Sequence, residues 1–112
     1  MRNFIQATIC GALLCVGAGP ALAADPVDAD AAQALLKKND CGKCHAVDKK
    51  KDGPSFKETA SKLKGKAGAE EELYKHLTSS PKVKVDGKEE EHKAVKAGEA
   101  DVRNLARWIL SR

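Results

Sequence analysis

The apolar residues of this chain form short clusters separated by charged stretches, and the spacing within the clusters predicts helices. The clearest cluster lies near the C-terminus and repeats at i, i+3, i+4 and i+7: Val102, Leu105, Ala106 and Ile109. This spacing places the side chains on one face of a helix. The chain therefore ends in an amphipathic helix that buries this face.

Three more helices are predicted upstream. Residues 28–39 are rich in alanine, with acidic residues at the start and lysines in the last turn, an order that suits the helix dipole. Residues 56–63 and 68–78 are also predicted to be helical, and Pro81 follows the latter. Residues 40–54 and 82–91 are predicted to be loops, because the alternation at 83–85 is too short for a convincing strand. The predicted fold class is all-α, with 3–5 helices.

The first 23 residues have the pattern of a secretory signal peptide. Arg2 precedes an apolar stretch over residues 4–19, and Pro20 precedes an Ala-x-Ala sequence that ends at Ala23. The apolar stretch is shorter than the roughly 20 residues of a membrane span. We therefore expect cleavage after Ala23, no stable membrane anchor, and one domain over residues 24–112.

Composition limits what this domain can be. Only three aromatic residues follow the predicted cleavage site, Phe56, Tyr74 and Trp108, and a domain this small buries a low fraction of its surface. Small exported domains of this kind usually gain stability from a disulfide, a metal or a cofactor. The formal net charge is only +4. With no recognised binding motif, this modest charge argues against a nucleic-acid partner.

The chemistry is indicated by the sequence Cys41-Gly42-Lys43-Cys44-His45, a C-x-x-C-H haem-attachment motif. Two thiols at this spacing can bind the two vinyl groups on one side of a porphyrin. The histidine that follows then reaches under the ring to the iron. The motif predicts one covalently bound haem c, with thioether bonds to Cys41 and Cys44 and His45 as the proximal iron ligand.

Two other uses of these cysteines are chemically possible. A thioredoxin-like redox pair or a disulfide is normally accompanied by a βαβ pattern, and none is visible. A zinc site made of Cys41, Cys44 and one or two histidines is chemically allowed. The adjacent His45 and the export signal favour haem.

With this motif near its N-terminus, the chain resembles the class I c-type cytochromes, and in particular the small bacterial cytochrome c-551/c-552 group. The likeness extends over nearly all of residues 24–112. It rests on Gly53-Pro54 after the haem loop, Phe56, the Lys62-Leu63-x-Gly-x-Ala-Gly sequence and the final Leu105-Ala-Arg-Trp-Ile-Leu. The resemblance implies a haem packed between the first and last helices, and an electron carrier, not an enzyme. It also implies that the Pro54 carbonyl accepts a hydrogen bond from His45.

The sequence departs from this family at the distal iron ligand. Relatives usually supply a methionine in the loop before the last helix, but the only methionine is Met1. Counting back from Trp108 places His92 at that position, so His92 is the expected distal ligand. His76 falls where relatives carry a basic residue near a haem propionate. A propionate contact or simple exposure is expected for it in preference to iron ligation, and ligation by a lysine of the same region (Lys82, Lys84, Lys88 or Lys93) is a minor alternative.

These assignments predict a periplasmic electron carrier with two histidine ligands. Its reduction potential should lie below that of relatives with a methionine ligand, because methionine raises the potential. Many lysines follow the motif, at positions 43, 49–51, 57, 62, 64 and 66, and they indicate either a solvated face or a docking surface for an acidic redox partner. The alternative is a gas-binding or catalytic haem protein with an open or displaceable sixth position, favoured by a flexible loop at residues 89–98.

Overall fold

The structure is a computed structural model that describes Gly17, Gly19 and residues 25–112. It contains four α-helices: α1 (Ala29–Lys38), α2 (Phe56–Leu63), α3 (Ala69–Thr78) and α4 (Glu99–Leu110). A short 3-10 helix, Cys41–Lys43, follows α1, and two strands, β1 (Lys82–Val85) and β2 (Lys88–Glu91), lie between α3 and α4. The predicted helical class is confirmed, with a small two-stranded sheet added. The predicted signal peptide and its cleavage site lie outside the described residues, apart from the two glycines.

The helix boundaries follow local signals in the sequence. The side chain of Asp28 accepts a hydrogen bond from the backbone N–H of Ala31 at 2.9 Å and so caps α1. Ser55 caps α2 in the same way, with its Oγ 3.1 Å from the backbone nitrogen of Glu58. Each cap satisfies a backbone donor that the first helical turn leaves free. The predicted limits of α1, α2 and α3 agree with these boundaries to within one residue.

The last helix, α4, is the centre of the fold and packs against each of the other three helices. Its apolar face is buried as the sequence spacing predicted, and Val102, Leu105 and Ala106 are almost completely removed from solvent. The ring of Phe56, at the start of α2, meets Trp108 edge to face with centroids 5.7 Å apart. No helix in the part of the chain that the structure describes is long and apolar enough to cross a membrane.

The prediction of a loop over residues 82–91 is wrong, because this segment forms an antiparallel hairpin. Strand β1 pairs with β2 in a register that sets Lys82 opposite Glu91 and Val85 opposite Lys88. Asp86 and Gly87 make the turn with φ values of 49° and 77°, the two positive values of a type I′ turn. The Asp-Gly pair is a sequence signal for a hairpin turn. It was not used in the prediction, because the flanking segments are too short to be recognised as strands.

The expected loop at residues 89–98 is confirmed only in part. Residues 89–91 belong to strand β2, whereas residues 92–98 form a loop with two backbone hydrogen bonds to the rest of the fold. The N–H of His92 donates to the carbonyl of Pro81 at 2.8 Å, and the N–H of Val95 donates to the carbonyl of Leu77 at 2.8 Å. The segment that carries His92 is therefore held by the residue that precedes β1 and by α3.

Candidate haem-binding site

One cavity of about 810 Å³ lies among the 3-10 helix, α2, α3 and the hairpin. This volume is within the range of pockets that hold cofactors and drug-sized ligands, about 300–1,000 Å³. All six residues to which the sequence assigned a role at the haem line it: Cys41, Cys44, His45, Pro54, His76 and His92. The fold thus gathers residues from separate parts of the chain around one space.

The proximal wall is formed by the attachment motif and the loop that folds back over it. The N–H of His45 donates to the carbonyl of Cys41 at 3.0 Å, and the N–H of Gly53 donates to the carbonyl of Cys44 at 2.8 Å. These bonds bring Pro54 next to the imidazole. Nδ1 of His45 lies 2.8 Å from the carbonyl oxygen of Pro54.

This contact fixes the chemical state of His45. A carbonyl oxygen can only accept a hydrogen bond, so Nδ1 of His45 must carry the proton and donate. The proton on Nδ1 leaves the lone pair of Nε2 available to a metal, the arrangement commonly found around metal-binding imidazoles. The ring also stacks on Phe56, with centroids 5.6 Å apart and planes 20° from parallel. His45 is therefore oriented before any metal binds.

The two cysteines are free thiols, half-buried at Cys41 and exposed at Cys44. Burial raises the pKa of the Cys41 thiol above its ordinary value, because burial disfavours the charged thiolate. The cysteines are not joined to each other, so both remain available for thioether bonds to a porphyrin.

The distal wall is formed by the hairpin and the residue that follows it. Val83 and Val85 contribute apolar side chains to the cavity, and His92 comes directly after β2. The ring centroid of His92 lies 6.1 Å from that of His45, with the two planes inclined by 51°. His92 therefore faces the proximal histidine across the cavity.

His92 is in a state suited to metal binding. Its Nδ1 is buried and has no hydrogen-bond partner, which is costly for a polar atom unless another group satisfies it. Burial lowers the pKa of His92, and the charges of His76 and His45 lower it further. The neutral imidazole is the form that binds a metal ion.

His76 lies on α3 directly beside His92, with ring centroids 4.6 Å apart. Burial lowers the pKa of His76, and the charge of His45 adds to the effect. His76 is therefore a half-buried imidazole on the distal side of the cavity. The sequence did not indicate this proximity, and the predicted propionate contact stays a prediction.

Sequence reasoning missed Asn39, the last residue before the loop that carries the motif. It is a polar residue that is only 6% exposed, and it borders the cavity. Its Nδ2 donates to the carbonyl of Leu35 at 3.0 Å, and its Oδ1 accepts from the N–H of Lys96 at 3.1 Å. No signal in the sequence marks this role, since the second contact joins residues 57 positions apart.

The donor set fits a haem better than a zinc ion. Within residues 25–112, no three side chains of His, Cys, Asp or Glu come together as ligands of one metal ion, whereas a structural zinc site needs four ligands. Two thiols beside a cavity, with one imidazole on each side, match a covalently attached porphyrin whose iron takes ligands from both faces.

Comparison with known proteins agrees with this site. The family model described as cytochrome c matches residues 29–112. The chain is 36% identical to cytochrome c-551 of Pseudomonas aeruginosa over 100 residues, which cover 89% of this chain and 94% of the relative. It is 37% identical to cytochrome c-551 of Stutzerimonas stutzeri over 93 residues, or 83% of this chain and 88% of the relative.

Solved structures show the same relationship. The chain is similar to the class 1 cytochrome MtoD from Sideroxydans lithotrophicus ES-1, with 54% identity and a TM-score of 0.75 over 77% of this chain and 97% of the other. It is also similar to cytochrome c552 of Nitrosomonas europaea, with 32% identity and a TM-score of 0.60 over 70% of this chain and 96% of the other. Fold, motif and relatives agree, and the chain belongs to the class I c-type cytochromes, electron carriers with one covalently attached haem c.

Proposed function

We propose that this electron carrier works in the periplasm with His45 and His92 as the two axial ligands of its iron. Cys41 and Cys44 form the thioether bonds, and Pro54 orients His45 through the hydrogen bond to Nδ1. The proposed reduction potential is lower than that of relatives with a methionine ligand. The bound haem supplies a one-electron ferric/ferrous couple, and the chain supplies its ligands, its apolar surroundings and its contact surface.

The observation that carries the proposal is the separation of 6.1 Å between the ring centroids of His45 and His92. A metal–nitrogen bond to imidazole is about 2 Å long, and the ring centroid lies about 1 Å behind the nitrogen, so two imidazoles on opposite sides of one ion have centroids about 6 Å apart. The unpartnered, buried Nδ1 of His92 also supports the proposal.

The lower potential follows from the chemistry of the ligands. A methionine thioether favours ferrous iron and raises the potential of a haem. Imidazole lacks this preference, and axial ligands together move haem potentials over a range of about 0.8 V. Two neutral imidazoles held by Pro54 and by the hairpin should therefore stabilise the ferric state more than a His/Met pair does.

The proposed docking surface for an acidic redox partner consists of the lysines near the motif. Several of them are already neutralised within the molecule, for example Lys57 by Asp48 at 2.5 Å and Lys66 by Glu72 at 2.6 Å. In the part of the chain that the structure describes, no ion pair involves Lys49 or Lys50, both exposed in the loop after the motif. Lys64 is likewise exposed and in no ion pair, but Lys49 and Lys50 adjoin each other close to the motif, so we propose this pair as the site that attracts an acidic partner.

We propose export to the periplasm because the N-terminal sequence resembles a signal peptide and because the chain is similar to bacterial cytochromes c-551. The Ala-x-Ala sequence ending at Ala23 predicts where cleavage occurs. Mass spectrometry of the protein purified from a bacterial periplasm tests this directly. The expected mass is that of residues 24–112 with one haem, and retention of residues 1–23 would contradict the proposal.

The ligand assignment is tested by electron paramagnetic resonance of the ferric protein. We expect a low-spin wild type and a high-spin His92→Ala variant, because alanine removes the distal imidazole. His76→Ala is the matched control, since it deletes the neighbouring imidazole and should stay low-spin. Potentiometric titration should give the His92→Met variant a higher potential than the wild type.

Each other outcome has a defined meaning. A high-spin wild type would overturn ligation by His92 and support a gas-binding or catalytic protein with an open sixth position. A low-spin His92→Ala variant that becomes high-spin only when His76 is also removed would assign the distal position to His76.

A further inference from the structure

We propose that Asn39 is a positioning residue that keeps His92 on the iron by holding the segment after it, residues 93–96. The inference rests on the proposed ligation by His92, and it adds the element that controls how easily this ligand leaves. The side chain of Asn39 makes hydrogen bonds with Leu35 and Lys96 and none with His92. It acts through the backbone of Lys96, at the far end of the segment.

Three backbone N–H groups anchor the distal segment, which comprises His92 and residues 93–96. That of His92 donates to the carbonyl of Pro81, and that of Val95 donates to the carbonyl of Leu77. The third, that of Lys96, donates to Oδ1 of Asn39 at 3.1 Å. Of the three acceptors only the last belongs to a side chain, so a single substitution can remove it and leave the backbone unchanged.

The position of Asn39 makes this anchor rigid. Its side chain is buried, and the Nδ2 group is held by the carbonyl of Leu35 at 3.0 Å in the last turns of α1. Since both ends of the amide are engaged, Oδ1 has one orientation, toward Lys96. Asn39 thus connects the helix that leads into the attachment motif with the segment that leaves the distal histidine.

A second contact runs parallel to this anchor but is much weaker. Nζ of Lys93 lies 3.5 Å from Oδ2 of Asp40, and the two side chains are 59% and 54% exposed. Exposed ion pairs contribute little and are screened by salt. The residue pairs 39–96 and 40–93 therefore form a matched comparison, one buried and one exposed, between the same two segments.

The consequence concerns replacement of His92 by an external ligand. An external ligand can bind only when the distal segment has moved away, so its apparent affinity falls with the population of the open state. Removing one hydrogen bond to a buried group shifts such an equilibrium by about tenfold. The affinity for an external ligand should rise by this factor when Asn39 is replaced.

The test uses cyanide binding to the ferric holoprotein, followed by the Soret absorbance. We expect Asn39→Ala to bind cyanide about tenfold more tightly than the wild type. Asp40→Asn should change little, since it removes only exposed ion pairs.

Asn104→Ala is the control for general loss of stability. Asn104 joins the N-terminus of α1 to α4 through two hydrogen bonds with Asp28, each 2.9 Å long, and does not line the haem cavity. The Asn104→Ala variant should have a lower unfolding temperature but an unchanged affinity for cyanide. The inference would be overturned if the affinity rose equally in Asn104→Ala and Asn39→Ala, or if it did not rise in Asn39→Ala.

A further variant keeps the inference testable if Asn39→Ala does not fold. Lys96→Pro removes the N–H that donates to Asn39 and keeps the hydrogen bond between Asn39 and Leu35. This variant should also bind cyanide more tightly than the wild type. An unchanged affinity in Lys96→Pro would overturn the inference. Failure of the proposed ligation itself is distinguished by the spin state with Asn39 intact: either the wild type would be high-spin, or the His92→Ala variant would stay low-spin.

Discussion

Gly53 lies directly against the imidazole of His45. A methyl group built at Gly53 would come within 2.8 Å of Nδ1 of His45 and within 3.0 Å of Nε2, closer than side chains pack. The next residue, Pro54, has its carbonyl oxygen 2.8 Å from Nδ1 of the same ring. The absence of a side chain at position 53 is therefore a condition for the orientation of the proximal ligand.

Gly53→Ala should displace His45 from this orientation. We expect the low-spin fraction of the ferric protein to fall by about tenfold, comparable to losing the bond that orients a metal-binding histidine. Absorbance and electron paramagnetic resonance measure this fraction. Gly42→Ala is the matched control, because a Cβ at Gly42 meets no atom within 4 Å. A normal spectrum for Gly53→Ala would contradict the steric role.

The turn of the distal hairpin depends on a second glycine. Gly87 has a φ of 77°, a left-handed conformation that costs an L-residue about 1–2 kcal/mol. Gly87→Ala should lower the free energy of unfolding by this amount. Gly98→Ala, at a φ of −64° in open space, should lower it much less. Thermal unfolding followed by circular dichroism compares the two, and equal losses would show that backbone strain is not the cause.

Close packing of α1 on α4 depends on small side chains. Ala32 and Ala106 are fully buried, so a larger residue at position 32 has no space. Ala32→Leu should destabilise the protein by about 1–3 kcal/mol through overpacking. Ala34→Leu, on the exposed side of the same helix, should be close to neutral in denaturant titration. If both substitutions were neutral, the prediction would be wrong, because α1 and α4 could then move apart at little cost in free energy.

Lys49 and Lys50 should govern encounters with anionic redox partners. Replacing both with glutamate should slow oxidation by hexacyanoferrate(III) by about tenfold at low ionic strength, because attraction toward the anion is lost. The difference should shrink as salt is added. Stopped-flow absorbance measures the rate.

The same charge change at Lys37 and Lys38 is the control for this experiment. These lysines lie in the last turn of α1, and Lys38 borders a separate cleft between α1 and α4. Their replacement should slow the reaction much less. An equal effect at both sites would mean that net charge, not a docking surface, controls the rate.

Much of this fold could be predicted from the sequence, because its signals are local. The caps at Asp28 and Ser55 and the apolar spacing in α4 each act within a few residues. The hairpin at residues 82–91 was missed although Asp86-Gly87 is also a local signal. The strands are only four residues long: β1 alternates lysine with valine over too few residues to mark a strand, and β2 is entirely charged and does not alternate.

The sequence by itself determined the attachment chemistry, since the spacing of Cys41, Cys44 and His45 is fixed along the chain. It also determined that no methionine other than Met1 is present. Only the tertiary structure decided that His76 lies beside His92, that Gly53 leaves room for His45, and that Asn39 holds Lys96. Asn39 and Lys96 are 57 positions apart in the chain, and the other two pairs also meet only where the backbone folds back on itself, which no local pattern encodes.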